Sequence, residues 1–469
     1  MMEGEVINFK RPYVLSSTRT RVMQSLKKDP LILTPFDIPK ANRKALIKFE
    51  APIPLDKKSI VIPLNPTNIK ASPCTNSPKS SPHKSHHSRT SSQQIQISSF
   101  IQTKKMTPSE VLTNFPYHLT DFEKNEIKNY NFSYFIGQDA VKQKSIFTDA
   151  SGNYIIKPKD HIFYRYEIIQ LLGSGSYSQV LKCYDHKKNQ HVAIKILKLQ
   201  PKYRESGEIE YNILNLLNNN TKNETNIIKV YKKLVFRKHL IIVSELLHQN
   251  LYQFIESYDF KPININIVKR ITTQLLIALN HIHSNNIIHC DLNPENILLK
   301  NSNKSSIRVI DFCNACFKNY YPNNCIQSLY YSAPEKLFKL DYDEKIDIWS
   351  LGCIVYELIT GAVLFNGKNE HEQMIKIVSV IGFPSLPVID KIKKKYKDFN
   401  IQAFKGIPKV SLRKILTNYD INIVEFIEDC LNWDYEVRIS ASEGLRSSWI
   451  KGHRRSLSET PRMINNILM

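Results

Sequence analysis

Short apolar runs rich in β-branched and aromatic residues mark four stretches: 160-DHIFYRYEIIQLL-172, 190-QHVAIKILKL-199, 227-IIKVYKKLVFR-237 and 239-HLIIVSELL-247. Their partial alternation with polar positions predicts strands. Between the second and third, 203-YRESGEIEYNILNLLN-218 spaces its apolar residues as one face of a helix. Beyond residue 247 the period lengthens, and 264-NINIVKRITTQLLIALNHIHSNN-286, 345-KIDIWSLGCIVYELITG-361 and 421-INIVEFIEDCLNW-433 predict helices. Strands first and helices later describe an α+β domain with a strand-rich front lobe and a helical rear lobe. Upstream, 107-TPSEVLTNFPYHLTDFEKNEIKNY-130 carries two helix starts, Thr107 before Pro108 and Thr120 before Asp-Phe-Glu.

Composition adds a tail to this picture. Residues 1–105 hold 18 Lys/Arg against 6 Asp/Glu, which is +12 of the chain's net +22. Within them, 73-PCTNSPKSSPHKSHHSRTSSQQ-94 has almost no large apolar residues and reads as a disordered linker. Such a tail suits an acidic partner through charge alone, and no zinc-finger or stacking motif argues for sequence-specific nucleic acid. The eight Cys fit reduced thiols; Cys313-Asn-Ala-Cys316 lacks the second pair of ligands that zinc requires. No run of 18 apolar residues predicts a transmembrane segment, no signal core follows Met1, and Met2 excludes myristoylation. The expectation is a soluble, monomeric protein of the cytoplasm, with the nucleus as a second location.

The chemistry lies in an ordered series of polar anchors. Gly173-x-Gly175 within 172-LGSGSYSQV-180 is a weak signal for a phosphate-approaching loop when taken alone. Fifteen residues past Val180 comes Lys195, on a strand, whose ammonium can hold phosphates; fifteen further, Glu210 on the helix can pair with it. Then follow His289-Cys-Asp291-Leu-Asn-Pro-Glu-Asn296 and Asp311-Phe-Cys. Phosphoryl transfer needs a carboxylate beside the acceptor hydroxyl, which suits Asp291, and hard oxygen ligands for Mg²⁺, which suit Asn296 and Asp311. Ala333-Pro-Glu335 and 347-DIWSLG-352 complete the order.

With these residues in this order, the chain resembles the eukaryotic protein kinases over residues 166–450, and so a bilobal kinase fold acting on ATP. His-Cys-Asp, Pro-Glu-Asn-Ile-Leu-Leu, 183-CYDHKKNQHVAIK-195, 250-NLYQFI-255 and 326-IQS-328 are similar to the dual-specificity tyrosine-regulated kinases. The stretch 160-DHIFYRYEI-168 resembles that family's acidic-histidine box upstream of the catalytic domain, and residues 107–136, including most of 119-LTDFEKNEIKNYNFSYFIG-137, are similar to the accessory region of its class II members. The expected division is a tail at 1–105, an accessory region at 106–165, the kinase domain at 166–450 and a C-terminal tail at 451–469. The resemblance implies that Lys195 and Glu210 form the ATP-anchoring pair. It implies that Leu172, Gly173, Ser174, Gly175, Ser176, Tyr177, Ser178, Gln179 and Val180 cover the nucleotide, with Ala193 and Leu298 lining its pocket. The backbone of Glu245 and Leu247 would meet adenine, Ser244 would be the small residue guarding the space behind it, and Glu335 would pair with Arg438. The acceptors implied are Ser and Thr hydroxyls of protein substrates, with Tyr as a further class.

Four departures from the family pattern surround the transferred phosphate. Asn293 stands where the family has Lys, and loss of one preorganised donor costs roughly 10²–10³ in rate. Cys313 replaces a Gly, which predicts a less easily flipped loop. Asn323-Asn-Cys325 removes the Tyr-x-Tyr pair, and Leu329 and Ser332 replace two Arg, which puts a preference for Pro after the target residue in question. Glu295 is retained and suits an Arg upstream of the target. These changes keep open a second reading, a pseudokinase scaffold that binds nucleotide or partners.

Overall fold

The computed structural model describes residues 105–219, 224–301, 304–318, 327–396, 404 and 406–452. The expectations for the tail before Lys105, the linker at 73–94, Asn323–Cys325 and residues 453–469 lie outside these.

Six strands form the front lobe: β1 (His161–Ile162), β2 (Tyr166–Ser174), β3 (Ser178–Asp185), β4 (Gln190–Leu197), β5 (Val230–Phe236) and β6 (His239–Glu245). They make one antiparallel sheet in the order β1-β2-β3-β4-β6-β5. One face buries Ile168, Leu181, Cys183, Val192, Ile194, Ile241 and Val243 in a common core. On the other face, Val180 pairs with Lys195 and Ala193 with Ser244. The strand expected from Ile227 begins at Val230. Ile227 instead makes a parallel bridge to Val309, beside Asn226, whose φ of 57° turns the chain.

Helix Pro201–Asn219 buries Gly207, Glu210, Ile213, Leu214 and Leu217 along one stripe. A Cβ on Gly207 would stand 2.9 Å from Leu197 and from Leu240, so glycine here lets the helix lie close on the sheet. That closeness brings Glu210 within reach of β4.

The segment upstream of β1 is built into the front lobe. Thr107 and Thr120 both close capping boxes, with Glu110 and Glu123, on helices Pro108–Asn114 and Asp121–Glu126. Glu123 then serves a second purpose. Its side chain is buried and accepts from His161, Lys142 and Arg237 at 2.9, 2.9 and 3.3 Å. Arg237, at the β5–β6 turn, also meets Glu126 at 2.9 Å and lies 3.9 Å from the centre of the Phe147 ring. An arginine of the sheet is thus enclosed by acids and an aromatic ring of the preceding segment.

The rear lobe is helical. Helix Ile265–Ser284 carries a buried face from Val268 to Ile282, while helix Lys345–Thr360 is buried from Ile346 to Ile359. Gly361 ends the latter at φ 75°, where a Cβ would meet the Phe260 carbonyl. Glu335 and Arg438 pair through two bonds of 2.6 and 3.1 Å with both side chains buried, and Arg438 also donates to the Asn432 carbonyl. Two small hairpin-like pairings, Ile297–Asn301 with Lys304–Val309 and Ile287–Ile288 with Cys316–Phe317, support the loops that face the front lobe.

Candidate active site

Between β2 and β3 the chain turns through Gly175, Ser176 and Tyr177, with Gly173 opposite Val180 and Ser174 opposite Gln179. Neither Gly173 nor Gly175 has a positive φ. A Cβ on Gly173 would meet nothing within 4 Å, and one on Gly175 only the Ser178 carbonyl at 3.8 Å. The glycines therefore keep an open surface instead of permitting a forbidden turn, which is what close approach of a phosphate requires. The Tyr177 ring packs edge-on against Tyr203 at the start of helix Pro201–Asn219.

Directly paired residues of an antiparallel sheet share a face, so Gly173, Val180, Ala193, Lys195 and Ser244 line one side of it. Lys195 Nζ lies 2.7 and 2.8 Å from the two carboxylate oxygens of Glu210 and 3.1 Å from Asp311 Oδ1. Burial opposes its charge, but the carboxylates of Asp311 and Glu210 outweigh that and hold the ammonium well above the usual lysine range. Where β6 leaves the sheet, the Glu245 N–H is taken by the Lys229 carbonyl. Among the described residues, no protein group pairs with the N–H or carbonyl of half-buried Leu247. Leu298, also half-buried, faces this link from the rear lobe through the Asn250–Leu298 bridge.

Below it, buried Asp347 organises the loop that carries Asp291. It accepts the backbone N–H groups of His289 and Cys290 at 2.9 and 3.0 Å. Cys290 takes φ 64°, and His289 bonds the Ile310 carbonyl at 3.0 Å, linking this loop to the next. Asp291 Oδ1 accepts the Ser328 hydroxyl at 2.7 Å and its N–H at 3.0 Å, and Oδ2 accepts the Asn314 amide at 3.0 Å. Asn296 gives its Nδ2 to the Asp291 carbonyl at 2.8 Å, which commits the amide nitrogen and leaves the oxygen as the atom that could hold a cation.

Two departures acquire a physical account here. Asn293 is buried and caps the short turn Pro294–Asn296: its Oδ1 accepts from the N–H groups of Glu295 and Asn296 at 2.9 and 3.1 Å. Its Nδ2 reaches Asp291 Oδ1 and Ser328 Oγ at 3.3 and 3.2 Å. A lysine could donate but could not accept. Cys313 lies in the turn Phe312–Asn314, and the positive φ of this turn belongs to Asp311, at 61°. The side chain at 313 is thus compatible with the conformation that holds Asp311 beside Lys195. Burial, with the Asp311 carboxylate beside it, pushes the Cys313 thiol well up.

Ser332, in place of an arginine, is buried and donates to the Ser328 and Gln327 carbonyls at 3.1 and 3.4 Å. Three site residues had no role assigned from sequence: Ser328, Asn314 and Asp347. Ser328 and Asp347 lie within Ile-Gln-Ser and Asp-Ile-Trp-Ser-Leu-Gly, whose order marks them; Asn314 lies within Cys313-Asn-Ala-Cys316, where the cysteines carry the signal and a lone amide has no chemistry of its own.

Comparison with known proteins agrees with this geometry. The protein kinase domain family matches residues 166–450. Such a domain implies ATP as a substrate with a divalent metal, and protein as the acceptor. The chain is 36% identical over 392 residues to the putative dual specificity tyrosine-phosphorylation-regulated kinase 3 homolog of Drosophila melanogaster, covering 76% of this chain and 47% of that protein. It is 39% identical over 365 residues to the probable serine/threonine-protein kinase dyrk2 of Dictyostelium discoideum, covering 74% and 40%. Against dual specificity tyrosine-phosphorylation-regulated kinase 4 of Homo sapiens it is 35% identical over 384 residues, covering 77% and 73%. The chain thus spans less than half the length of the first two of these relatives. No helix among the described residues is long and apolar enough to cross a membrane. The chain belongs to the protein kinases, within the family of dual specificity tyrosine-phosphorylation-regulated kinases.

Proposed function

We propose that this chain transfers the γ-phosphate of ATP to serine and threonine hydroxyls of proteins, with tyrosine as a further acceptor class. The observation that carries the reading is the bridge from Lys195 to both Glu210 and Asp311. A lysine held on a strand by a helix carboxylate, and touching a second carboxylate in the cleft, is the arrangement that anchors a triphosphate beside a cation site. Asn296 and Asp311 offer hard oxygen ligands that fit Mg²⁺, and the open surface over Gly173 and Gly175 fits a phosphate chain. When bound, Mg²⁺ neutralises phosphate charge as it develops in transfer.

The chain's own residues divide the remaining work. Leu172 to Val180 cover the nucleotide, Val180, Ala193 and Leu298 enclose its base, and Leu247 with the Glu245 carbonyl meets the base edge. Asp291 orients the acceptor hydroxyl and takes its proton. Exposed Glu295 suits an arginine of the substrate, and Ser332 removes the arginine on which a strict demand for proline rests. We further propose that the chain acts as a monomer whose basic tail meets acidic partners.

Purified protein with Mg-ATP and an arginine-containing Ser/Thr peptide tests the reading. Transfer is expected, with Lys195→Met lowering it by roughly 10²-fold or more through loss of phosphate anchoring. Absence of transfer by the unaltered protein, with nucleotide still bound, would overturn it.

A further inference from the structure

Asp291 is held from three separate segments. Its own loop reaches it through Asn293, the stretch before Ala333-Pro-Glu335 through Ser328, and the turn after Asp311 through Asn314. The last contact is specific in its direction: Asn314 Nδ2 donates to Oδ2 at 3.0 Å, while Ser328 and Asn293 donate to Oδ1. Donors on both oxygens fix the rotation of the carboxylate plane about its last bond, which one oxygen alone would leave free.

Asn314 also belongs to the same tight turn as Asp311. The turn Phe312–Asn314 follows Asp311 at φ 61° and is closed by the Ala315 N–H on the Phe312 carbonyl at 3.1 Å. The donor on Oδ2 therefore comes from the turn that Asp311 opens, while those on Oδ1 come from elsewhere.

We infer that Asn314 is a positioning residue for phosphoryl transfer, orienting the Asp291 carboxylate and coupling it to the turn that carries Asp311. This inference rests on the kinase reading above. Asn314 touches no reacting atom; it acts through Asp291. Its amide is neutral, so it orients the base without adding positive charge beside it.

Steady-state kinetics on the full chain tests this, with wild type, Asn314→Ala and the isosteric Asn314→Asp compared on one peptide. Loss of a hydrogen bond to a charged group predicts a fall in kcat of about 10- to 100-fold for Asn314→Ala. Asn314→Asp, which keeps the shape but offers no donor and adds a like charge, falls further. KM for ATP stays at the wild-type value in both, the melting temperature stays at the wild-type value in Asn314→Ala, and Asn314→Ala combined with Ser328→Ala is non-additive. Wild-type kcat in Asn314→Asp would overturn the inference. So would a parallel fall in melting temperature and rise in KM for ATP in both variants, which is the signature of a purely structural residue. A wild-type protein without transfer would instead strike the kinase reading itself.

Discussion

The amide oxygen of Asn293 accepts the backbone N–H of Asn296 at 3.1 Å, so the residue standing where the family has lysine caps the turn that carries Asn296. From sequence, Asn293 was a missing cation; in the fold it is also a local staple. Asn293→Lys therefore has two opposed effects. It supplies positive charge near the phosphate and raises kcat, while loss of the cap lowers stability by about 1 kcal/mol. Turnover and thermal melting of the same preparation check both. An unchanged or lower kcat would show that the site does not lack that charge.

Arg237 should be the most sensitive residue of the front lobe outside the cleft. Its side chain is only 2% exposed, and removing it takes a cation from buried Glu123, which keeps His161 and Lys142, and from half-buried Glu126. Breaking a buried pair from one side costs about 3–5 kcal/mol. Chemical denaturation of Arg237→Ala is expected to show a loss of that order, with Arg237→Lys intermediate. A loss no larger than that of an exposed ion pair would mean the preceding segment contributes little to the fold.

The same network sets a pH dependence. The Tyr164 N–H donates to His161 Nδ1 at 3.3 Å, and His161 Nε2 meets Glu123 at 2.9 Å, so the buried ring is neutral with its proton on Nε2. Burial, aided by Lys142, lowers its pKa below 6.5 against the opposing pull of Glu123 and Asp160. The unfolded state then binds the extra proton first, so this contribution is complete above about pH 6.5 and declines as pH falls below it. Glu123 responds in a separate window. Burial alone would raise its pKa, but His161 and Lys142 hold it far below the ordinary value, so its contribution is lost only below about pH 4.5. Melting temperature should therefore drop as the pH falls below about 6.5, with a shallower drop in His161→Gln. Equal slopes would remove His161 from the account.

Ser244 lies opposite Ala193, on the side of the sheet that carries Lys195, and is 8% exposed. A small residue there leaves room behind the base for bulky ATP-competitive ligands. Ser244→Phe should weaken such ligands by about tenfold or more while changing KM for ATP little. Competition binding of one bulky and one compact inhibitor reads the difference; equal loss for both would place the selectivity elsewhere.

Much of this molecule is written locally. Thr107 and Thr120 announced their helices because capping boxes involve only neighbours in sequence, and the strands Tyr166–Ser174 and Gln190–Leu197 followed from apolar alternation, whereas Ser178–Asp185 between them did not. The meeting of Lys195 with Glu210 and Asp311 was legible because phosphate chemistry restricts residue type and order. What stayed hidden depends on distant contacts. Glu123 reads as a capping residue and only the fold shows it meeting Arg237, 114 positions away. Asn314 and Ser328 are small polar residues of no special type, and their meaning lies in the one carboxylate on which they converge. Asn293 was read by what it lacks, since a cap across two residues of an irregular turn has no periodic signature.

The central claim is that Asp291 orients and deprotonates the acceptor within an assembled nucleotide site. The most direct measurement is single-turnover transfer of the γ-phosphate from Mg-ATP to peptide by wild type and Asp291→Asn, with nucleotide affinity measured on both. The account predicts transfer by the wild type, none above background by Asp291→Asn, and nucleotide affinity retained in both. Equal transfer by the two proteins would contradict it.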